Sequence, residues 1–392
     1  MAKMQSQEIS ITTGRVVCSA SVIDGPGTLI VRDGRIASLE TDSPLHPLPA
    51  DSTATPSTSK SKVHLDFSNG ILLPGLIDLH AHPAKRGSIF GVNPDSAILA
   101  RGTTTVQSQG DAGADGVDDF VASTVHGSRS RVLLALNLSR IGESTSAGCF
   151  ADLAHADVDA CVAAATKYPD LIRMLAVNVS HHACGDNDPW EVLQHGLLAA
   201  EQSGLPLLFG MRRPEDWPLE KQLNQLRSGD VVTYCFRRTP HCIVEHGRVL
   251  PCVLEARQRG ILFDVGHGMG SFSFEVAEAA IGAGFLPDTI STDLQSGHAG
   301  QSPQHDLPLV MSKLSASGMT DADLFRAVTS TPAAVLGIED KAGSLRAGST
   351  ADLVVLDRKP DITMSDVHAE IRTGNRFSAC CVVREGHLVI GN

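Results

Sequence analysis

The sequence has no apolar run long enough to span a bilayer, and its first residues, Met1 to Glu8, lack the apolar core of a signal peptide. Aromatic residues make up only 4% of the 392 residues, while 36 glycines fit a loop-rich α/β protein. The formal net charge of −12 argues against a broad nucleic-acid or anionic-membrane surface. We therefore expect a cytoplasmic protein that binds neither nucleic acid nor membrane.

Several catalytic and binding motifs are also absent. No G-x-G-x-x-G follows the first strand of the middle region, and there is no G-x-S-x-G, Walker loop or zinc-finger spacing. The nine cysteines include no C-x-x-C pair, so we expect reduced and mostly buried thiols in a chain long enough to fold without disulfides. Cys235 lies near the end of a predicted strand, and a role for its thiol as a nucleophile is an open alternative.

Two β-rich segments enclose an α/β middle. Apolar alternation predicts strands from Ile9 to Leu39, with a hairpin turn at Asp33-Gly34, and again from Ala351 to Ile390. The stretch from Thr41 to Lys62 is rich in Ser, Thr and Pro and predicts a flexible insert or loop. We expect residues 1–72 and 342–392 to form one small β-sandwich domain built from both termini.

The middle region, residues 73–341, alternates short apolar strands with helical stretches. This pattern predicts a (β/α)8 TIM barrel with its chemistry at the carboxyl ends of the strands, and an open doubly wound sheet is the alternative. The predicted strands are Leu76–His82, Thr104–Gln109, Arg131–Ser139, Ile172–Val179, Pro206–Met211, Val231–Phe236, Ile261–Gly266 and Thr289–Leu294. The predicted helices are Asp157–Lys167, Trp190–Ser203, Arg248–Arg259 and Phe274–Ala283.

The first of these strands ends in His80 and His82, spaced i, i+2. Side chains alternate along a strand, so both imidazoles are expected on one face. Imidazole is a common zinc ligand, and two of them on one rigid strand form half of a metal site. Asp78 shares their face by alternation, and we expect it to orient one of the imidazoles.

Four stretches of the chain resemble the amidohydrolase superfamily, closest to its dihydroorotase-like and deacetylase-like metallohydrolases. They are Pro74–His82, Gly260–Phe272, Phe285–Leu294 and Asp306–Lys313. The stretch Gly343–Val354 is similar to the superfamily's return to its small sheet domain. The resemblance covers most of the chain and implies a barrel with a small sheet domain and a metal-activated water.

The resemblance also implies six metal ligands in binuclear members, and three of them match His80, His82 and Asp293. Alignment by hand places Ala176 at the carboxylated lysine of the fourth strand. It places Gly210 and Tyr234 at the histidines of the fifth and sixth strands. Alanine and glycine carry no donor, so we expect an atypical, mononuclear site in place of the usual pair of metals.

Two histidines and one carboxylate with an open position are the general plan of a catalytic metal site. We expect a divalent metal, first zinc, with manganese, iron or nickel as alternatives. Asp293 would both ligate the metal and carry a proton from water to the leaving group. The competing interpretation is that these three residues are the remnant of a metal site in a protein that no longer binds metal.

Further candidates follow the other strands. His267, in a glycine-rich turn, is expected to bind substrate or polarise the transition state. Tyr234 either donates to a developing oxyanion or fills the volume of the lost ligand. His181 and His182 could supply substitute ligands, although such pairs in loops are more often solvated or structural. His241, His246, His298 and His305 are weak candidates that also lie in predicted loops.

Arginines follow three strands, as Arg140, as the pair Arg212-Arg213 and as the pair Arg237-Arg238. Guanidinium groups recognise carboxylates, so the substrate could carry one. Surface ion pairs are the commoner explanation in so acidic a chain.

The leading hypothesis is a hydrolase of a small amide, cyclic amide or ester. The alternatives are a lyase, decarboxylase or isomerase on the same barrel, and a non-catalytic barrel that acts as a binding protein. A homo-oligomer is expected by analogy alone.

Overall fold

A computed structural model describes residues 8–41, 62–212, 216–238 and 242–391. Most of the insert predicted between Thr41 and Lys62, together with Arg213 and His241, lies outside the described residues. Two sheets of seven strands organise the chain, one from its two ends and one from its middle. Within the described residues, no helix combines the length and apolar character needed to cross a membrane.

The strands are β1 (Glu8–Cys18), β2 (Ile23–Arg32), β3 (Arg35–Thr41), β4 (Lys62–Pro74), β5 (Leu76–Ala81), β6 (Thr103–Gln109), β7 (Arg131–Asn137), β8 (Ile172–Asn178), β9 (Leu207–Gly210), β10 (Val231–Thr233), β11 (Val244–Glu245), β12 (Arg248–Val249), β13 (Leu262–Phe263), β14 (Leu353–Ser365), β15 (Ile371–Arg384) and β16 (His387–Gly391). The helices are α1 (Pro94–Ala97), α2 (Val117–Phe120), α3 (Val158–Lys167), α4 (His181–Cys184), α5 (Pro189–Ser203), α6 (Leu219–Leu223), α7 (Pro251–Gln258), α8 (Phe274–Gly282), α9 (Leu307–Ala316), α10 (Asp321–Ala327) and α11 (Ser330–Val335).

The terminal sheet has the order β16-β15-β14-β4-β1-β2-β3. Alternate apolar side chains of its strands, such as Ile9 and Ile11 of β1, are fully buried in one cluster, so the sheet encloses a core of its own. Asp33 and Gly34 both have positive φ, as a two-residue type I′ hairpin requires. The predicted small β domain from both termini is confirmed.

The second sheet is the barrel, with parallel neighbours in the order β13-β10-β9-β8-β7-β6-β5. Residues 289–294 close it, since Thr289 bridges to Asp264 and Leu294 bridges to Ala81. The predicted TIM barrel is therefore confirmed. The eighth predicted strand has the correct place, but isolated bridges replace a regular ladder there, and β13 is shorter than predicted.

Three of the predicted barrel helices form where expected, as α3, α5 and α8. Asp157 and Asp188 cap the first two, each accepting a hydrogen bond from a backbone N–H of the first turn. The predicted helix from Arg248 was wrong at its start, because residues 248–249 pair with β11 in a hairpin. Pro251 restricts the residue before it to an extended conformation and opens α7.

The closing segment, which we call the seam (residues 289–294), is held by two buried aspartates. Asp78 accepts hydrogen bonds from the backbone N–H and the hydroxyl of Thr292, at 3.1 and 2.6 Å. Asp264 accepts from the hydroxyls of Thr289 and Ser291, at 2.7 and 2.6 Å. These side-chain hydrogen bonds add to the backbone hydrogen bonds of the seam, such as those from the His267 N–H to the Ser291 carbonyl and from the His82 N–H to the Leu294 carbonyl.

A buried ion-pair network joins the barrel to the terminal sheet. The Asp352 carboxylate lies 2.8 Å from Arg384 Nη1 of β15 and 2.9 Å from Arg131 Nη1 of β7. Asp352 and Arg384 are buried, and the backbone N–H of Gly75 donates to the Asp352 carbonyl. The two sheets are therefore fixed to each other at the start of the barrel.

Candidate metal centre

The side chains of His80, His82 and Asp293 meet at the carboxyl end of the barrel. Each offers one ligating atom, and these atoms lie within 4.8 Å of one another. Asp293 Oδ1 is 3.4 Å from His80 Nε2 and 3.2 Å from His82 Nε2. All three residues are buried, so the three groups face one another away from bulk water.

The tautomer of His80 follows from its contacts. Its Nδ1 lies 2.8 Å from the hydroxyl oxygen of Thr233, and that hydroxyl donates its only hydrogen to Asp264 at 2.8 Å. Thr233 must therefore accept from His80 Nδ1–H, so Nε2 is the ring atom directed towards Asp293, and it carries the lone pair when the ring is neutral. A Cβ at Gly266 would lie 2.2 Å from the Thr233 hydroxyl, so only glycine permits this approach.

His82 is oriented in the same way by an acid. Its Nδ1–H donates to Asp111 Oδ1 at 2.9 Å, and the Ser108 hydroxyl donates to Asp111 Oδ2 at 2.6 Å. The ring of Phe90 packs on the imidazole with centroids 5.3 Å apart. Carboxylate or hydroxyl partners on Nδ1 are typical of histidines that bind metal through Nε2.

Asp293 occupies its place through an unusual backbone conformation. Its φ is 49°, a left-handed value that is uncommon for residues other than glycine and that clusters at functional sites. Its backbone N–H donates to the carbonyl of His80 at 2.7 Å. A Cβ at Gly268 would lie 2.3 Å from Asp293 Oδ2, so the neighbouring turn must carry glycine there.

The charges of the three groups depend on one another. Burial disfavours the His80 cation, but the charges of Asp293 and Asp264 outweigh it and raise the pKa of His80 to about 9. The pKa of His82 is likewise raised well above its usual value against burial, chiefly by Asp111. Burial would raise the pKa of Asp293, but the two imidazoles hold it below its usual range. The cluster therefore attracts positive charge.

Two atoms of this cluster identify what would fit it. His80 Nε2 and Asp293 Oδ1 are buried without a hydrogen-bond partner, and orphaned buried polar atoms are rare. Both imidazoles direct Nε2 at the same carboxylate. Two imidazole nitrogens and a carboxylate oxygen form a donor set that suits zinc and its neighbours, so the residues fit a divalent metal.

Tyr234 directly follows β10 and faces the cluster. Its ring makes an edge contact with His80 at 5.2 Å between centroids, and the Arg237 guanidinium lies over the Tyr234 ring, 4.7 Å from its centroid. Burial raises the pKa of Tyr234 well above its usual value, so the phenol stays protonated. Cys235 is fully buried, and burial also raises the pKa of its thiol, which opposes a nucleophilic role.

His267 lies in the glycine-rich turn after β13, outside the cluster of three. Its Nδ1 lies 2.8 Å from the carbonyl of Gly268, to which it donates, and its Nε2 accepts from Lys313 Nζ at 2.9 Å. Burial and the Lys313 charge hold the pKa of His267 well below its usual value. Both ring nitrogens are engaged within the protein, which disfavours a role in proton transfer.

The candidate substitute ligands do not join the cluster. His181 uses both ring nitrogens elsewhere, at 2.7 Å from Asp216 and 2.8 Å from Arg212. His182 packs its ring on Phe90 at 5.7 Å. Ala176 lies near the carboxyl end of β8, and Gly210 ends β9, where a Cβ would lie 2.8 Å from the Asn178 side chain.

The candidate arginines differ in their surroundings. Arg140 pairs with Asp115 at 2.9 Å, and Arg238 pairs with Glu370 at 3.0 Å, both at the surface. Arg212 is buried against His181, whereas Arg237 reaches Tyr234 and the Ser271 hydroxyl. Of the histidines in loops, His246 lies in the exposed β11–β12 turn, while His298 and His305 stack on each other at 4.1 Å near His267.

The structure corrects one expectation and adds residues that the sequence did not indicate. Asp78 accepts from Thr292 and from the backbone N–H of His80, at 3.2 Å, instead of orienting an imidazole. Glu143, in the loop after β7, is buried with Oε2 unpartnered, and burial raises its pKa to about 7. In the sequence, its position directly after Ile141-Gly142, in the loop that follows the third predicted barrel strand, was the indication available.

A sequence model described as the amidohydrolase family matches residues 273–389. A protein of Agrobacterium fabrum named as a deacetylase is 32% identical over 313 residues, which cover 78% of this chain and 75% of that protein. The chain belongs to the amidohydrolase superfamily. A protein of Brucella anthropi, also named as a deacetylase, is 31% identical over 80% of this amidohydrolase and 78% of its own length.

The same relationship holds among solved structures. A dihydroorotase superimposes on this amidohydrolase with a TM-score of 0.84 and 27% sequence identity. The superposition covers 98% of this chain and 99% of the dihydroorotase chain. Family membership confirms the expectation that the protein is a hydrolase, and it agrees with the barrel and the terminal sheet.

Proposed function

We propose that this amidohydrolase uses one divalent metal, held by His80, His82 and Asp293, to hydrolyse a small amide, cyclic amide or ester. The observation that carries the proposal is the meeting of two imidazole Nε2 atoms and an unpartnered carboxylate oxygen in a buried cluster. Relatives named as deacetylases favour an acetyl group as the group removed, and the dihydroorotase favours a cyclic amide as the alternative. Zinc is the first candidate, and manganese, iron and nickel are the others.

A divalent metal in such a site supplies Lewis acidity, which makes water a better nucleophile at neutral pH. Asp293 would be the residue of this chain that accepts and donates protons in the reaction. Its pKa is held low by the imidazoles, so it is ionised and able to accept a proton from the attacking water. The proton would then pass to the leaving nitrogen or oxygen, as general acid–base catalysis requires.

Tyr234 would stabilise negative charge on the substrate. Its phenol keeps its proton because burial raises its pKa, and it lies against His80 at the mouth of the barrel. A donor placed there can hydrogen-bond an oxygen on which charge develops. His267, with its nitrogens engaged by the Gly268 carbonyl and Lys313 Nζ, would hold Lys313 in place beside the substrate instead of moving protons.

The first test is metal content and turnover of protein purified without added metal or chelator. We expect about one equivalent of a transition metal per chain by elemental analysis, and turnover of some members of a panel of acetyl amides, acetyl esters and cyclic amides. Asp293→Asn removes the ligand charge and the proton acceptor, and we expect it to lower turnover by about 10²–10⁴-fold. The exposed Asp119→Asn serves as the control and should keep both metal and activity.

The opposite results have definite meanings. Asp293→Asn protein that keeps full activity contradicts the assigned role. Protein that holds no metal and takes up neither zinc nor manganese contradicts the mechanism and favours a binding protein. Products other than those of hydrolysis would favour lyase, decarboxylase or isomerase chemistry.

A further inference from the structure

A cavity of about 300 Å³ lies beside the metal centre, and we call it the Lys313 cavity. His267, Gly268, His298, His305, Lys313 and Asp366 are among its lining residues. Gly268 connects it to the candidate ligands, because a Cβ at this glycine would lie 2.3 Å from Asp293 Oδ2. A group bound in the cavity would therefore sit next to the carboxylate that we place at the metal.

His298 offers the cavity an unsatisfied donor. The backbone N–H of Gln295 donates to His298 Nδ1 at 3.1 Å, so Nδ1 carries a lone pair and Nε2 carries the proton. His298 is 5% exposed, and its Nε2 is buried without a partner. His305 fixes the ring by stacking on it, and His305 Nε2–H is itself held by the carbonyl of Thr292 at 2.9 Å.

Lys313, on α9, offers further donors. Its Nζ donates one hydrogen to His267 Nε2, because His267 Nδ1–H is committed to the carbonyl of Gly268. An ammonium group has three hydrogens, so two are left for the cavity. Burial lowers the pKa of Lys313 to about 8, which leaves the group mainly cationic at neutral pH.

The acidic group in the cavity wall is already satisfied. The carboxylate of Asp366 accepts hydrogen bonds from the backbone N–H groups of Phe274, His368 and Glu370, at 3.0, 2.8 and 2.9 Å. It therefore balances part of the Lys313 charge without competing for the free donors. After these hydrogen bonds are counted, Lys313 Nζ and His298 Nε2–H remain as free donors in the cavity wall. A ligand of the cavity must therefore supply hydrogen-bond acceptors.

We propose that the Lys313 cavity binds a carboxylate of the substrate through Lys313 Nζ and His298 Nε2–H, and so selects acidic acyl compounds. The inference rests on the proposed function for its link to turnover, because the cavity adjoins Asp293. A carboxylate satisfies both donors with one planar group, and charge-assisted hydrogen bonds are the stronger kind. In a chain with a net charge of −12, such a local cation is what would hold an anionic substrate.

Binding of benzoate and benzamide tests this directly, since the two probes share their shape and differ in charge. We expect calorimetric titration of the purified protein to show benzoate binding at least tenfold more tightly than benzamide. Lys313→Met should remove this preference, and Lys313→Arg, which keeps the charge, should retain part of it. Lys341→Met, at an exposed position, is the matched control and should bind as the native chain does.

Two further measurements cover the other sources of binding. Benzoate should shift the ¹⁵N-histidine resonance of the His298 Nε2–H in the native protein, which needs no variant. The preference should survive removal of metal by chelator, because the proposed donors belong to the protein. Benzoate that binds no better than benzamide, or a preference that persists in Lys313→Met, overturns the proposal, and a preference that vanishes with the metal places the carboxylate on the metal instead.

The proposed function has separate readouts, metal content and turnover of uncharged acyl compounds. Turnover without any preference for acids would therefore overturn the carboxylate site alone. Carboxylate binding through Lys313 in a protein without metal or turnover would overturn the proposed function alone.

Discussion

Thr233 shows how a single hydroxyl group can decide the chemistry of a histidine. Because its hydrogen goes to Asp264, it can only accept from His80, and this fixes a proton on Nδ1 and leaves Nε2 as the atom that could bind a metal. A residue that never touches a metal would thus prepare one of its ligands.

Thr233→Val keeps the shape of the side chain and removes the acceptor. We expect the affinity for zinc to fall by about 10–100-fold, the usual effect of losing a hydrogen-bond partner of a metal-binding histidine. The affinity is measured by competition with a chromophoric chelator. Thr12→Val, which removes a threonine hydrogen bond in the terminal sheet, is the control. Unchanged zinc affinity in Thr233→Val would mean that His80 is not oriented through this hydroxyl.

At the residue scale, the sequence predicts the proposed metal ligands better than it predicts the residues that hydrogen-bond to those ligands. His80 and His82 are predicted by a spacing of two on one strand, which needs only local geometry. Asp111, Thr233 and Asp264 lie at or just after the ends of other strands, and their contacts arise only when the barrel closes. Lys313 could not be predicted as a partner of His267 either, since 46 positions separate them and they meet only in the folded barrel.

At the scale of elements, the turn after β13 (residues 266–270) carries much of the site. Its glycines at 266 and 268 have φ of 50° and 51°, and both approach residues of the metal centre too closely for a side chain. The turn therefore sets the distance between β10, the seam and the Lys313 cavity.

Gly268→Ala tests that requirement, with Gly270→Ala as a matched control in the same turn. The new Cβ at position 268 would meet Asp293 Oδ2, whereas one at position 270 meets nothing within 4 Å. We expect Gly268→Ala to cost about 1–3 kcal/mol in stability through its left-handed conformation. We also expect it to weaken zinc binding more than tenfold, while Gly270→Ala changes neither. Chemical denaturation and chelator competition measure the two effects, and equal behaviour of the variants would contradict the role of Gly268.

The elements themselves were largely predictable, because strand alternation and helix caps are local. The helix start at Arg248 was wrong since a short hairpin precedes Pro251, and nothing in the periodicity separates the two. The eighth strand was placed correctly but is not a ladder, because Asp293 bends the backbone with a positive φ.

At the scale of the whole molecule, Asp352 joins two sheets that could otherwise fold as separate units. It accepts from Arg384 of the terminal sheet and pairs with Arg131 of the barrel in a buried setting. Removing one member of a buried ion pair leaves an uncompensated charge, which is far more costly than losing a surface pair.

Asp352→Asn is therefore expected to destabilise the protein by about 3–5 kcal/mol. In the native chain we expect the barrel and the terminal sheet to unfold in one transition. Fluorescence of Trp190 and Trp217, which both lie in the barrel, should then coincide with far-ultraviolet circular dichroism on heating. Asp24→Asn, which breaks a surface pair with Arg15, should cost less than about 1 kcal/mol. Two separate transitions in the native chain would contradict this coupling.

The sequence indicated that the two termini share one domain, because both ends alternate in the same way. It could not indicate that Asp352 meets Arg131 and Arg384, since this contact depends on how one sheet is placed on the other.

The hydrogen bonds of the seam determine which buried aspartates could be replaced without opening the barrel. Asp78 and Asp264 hold the last segment of the barrel in place, so a descendant without any catalytic activity would still need them in order to fold. The Asp111 carboxylate instead accepts from His82 Nδ1–H and from the Ser108 hydroxyl, outside the seam, so its loss would leave the barrel closed. Among natural variants of this chain, replacement of Asp111 would therefore indicate loss of the proposed metal site, whereas replacement of Asp78 would indicate loss of barrel closure.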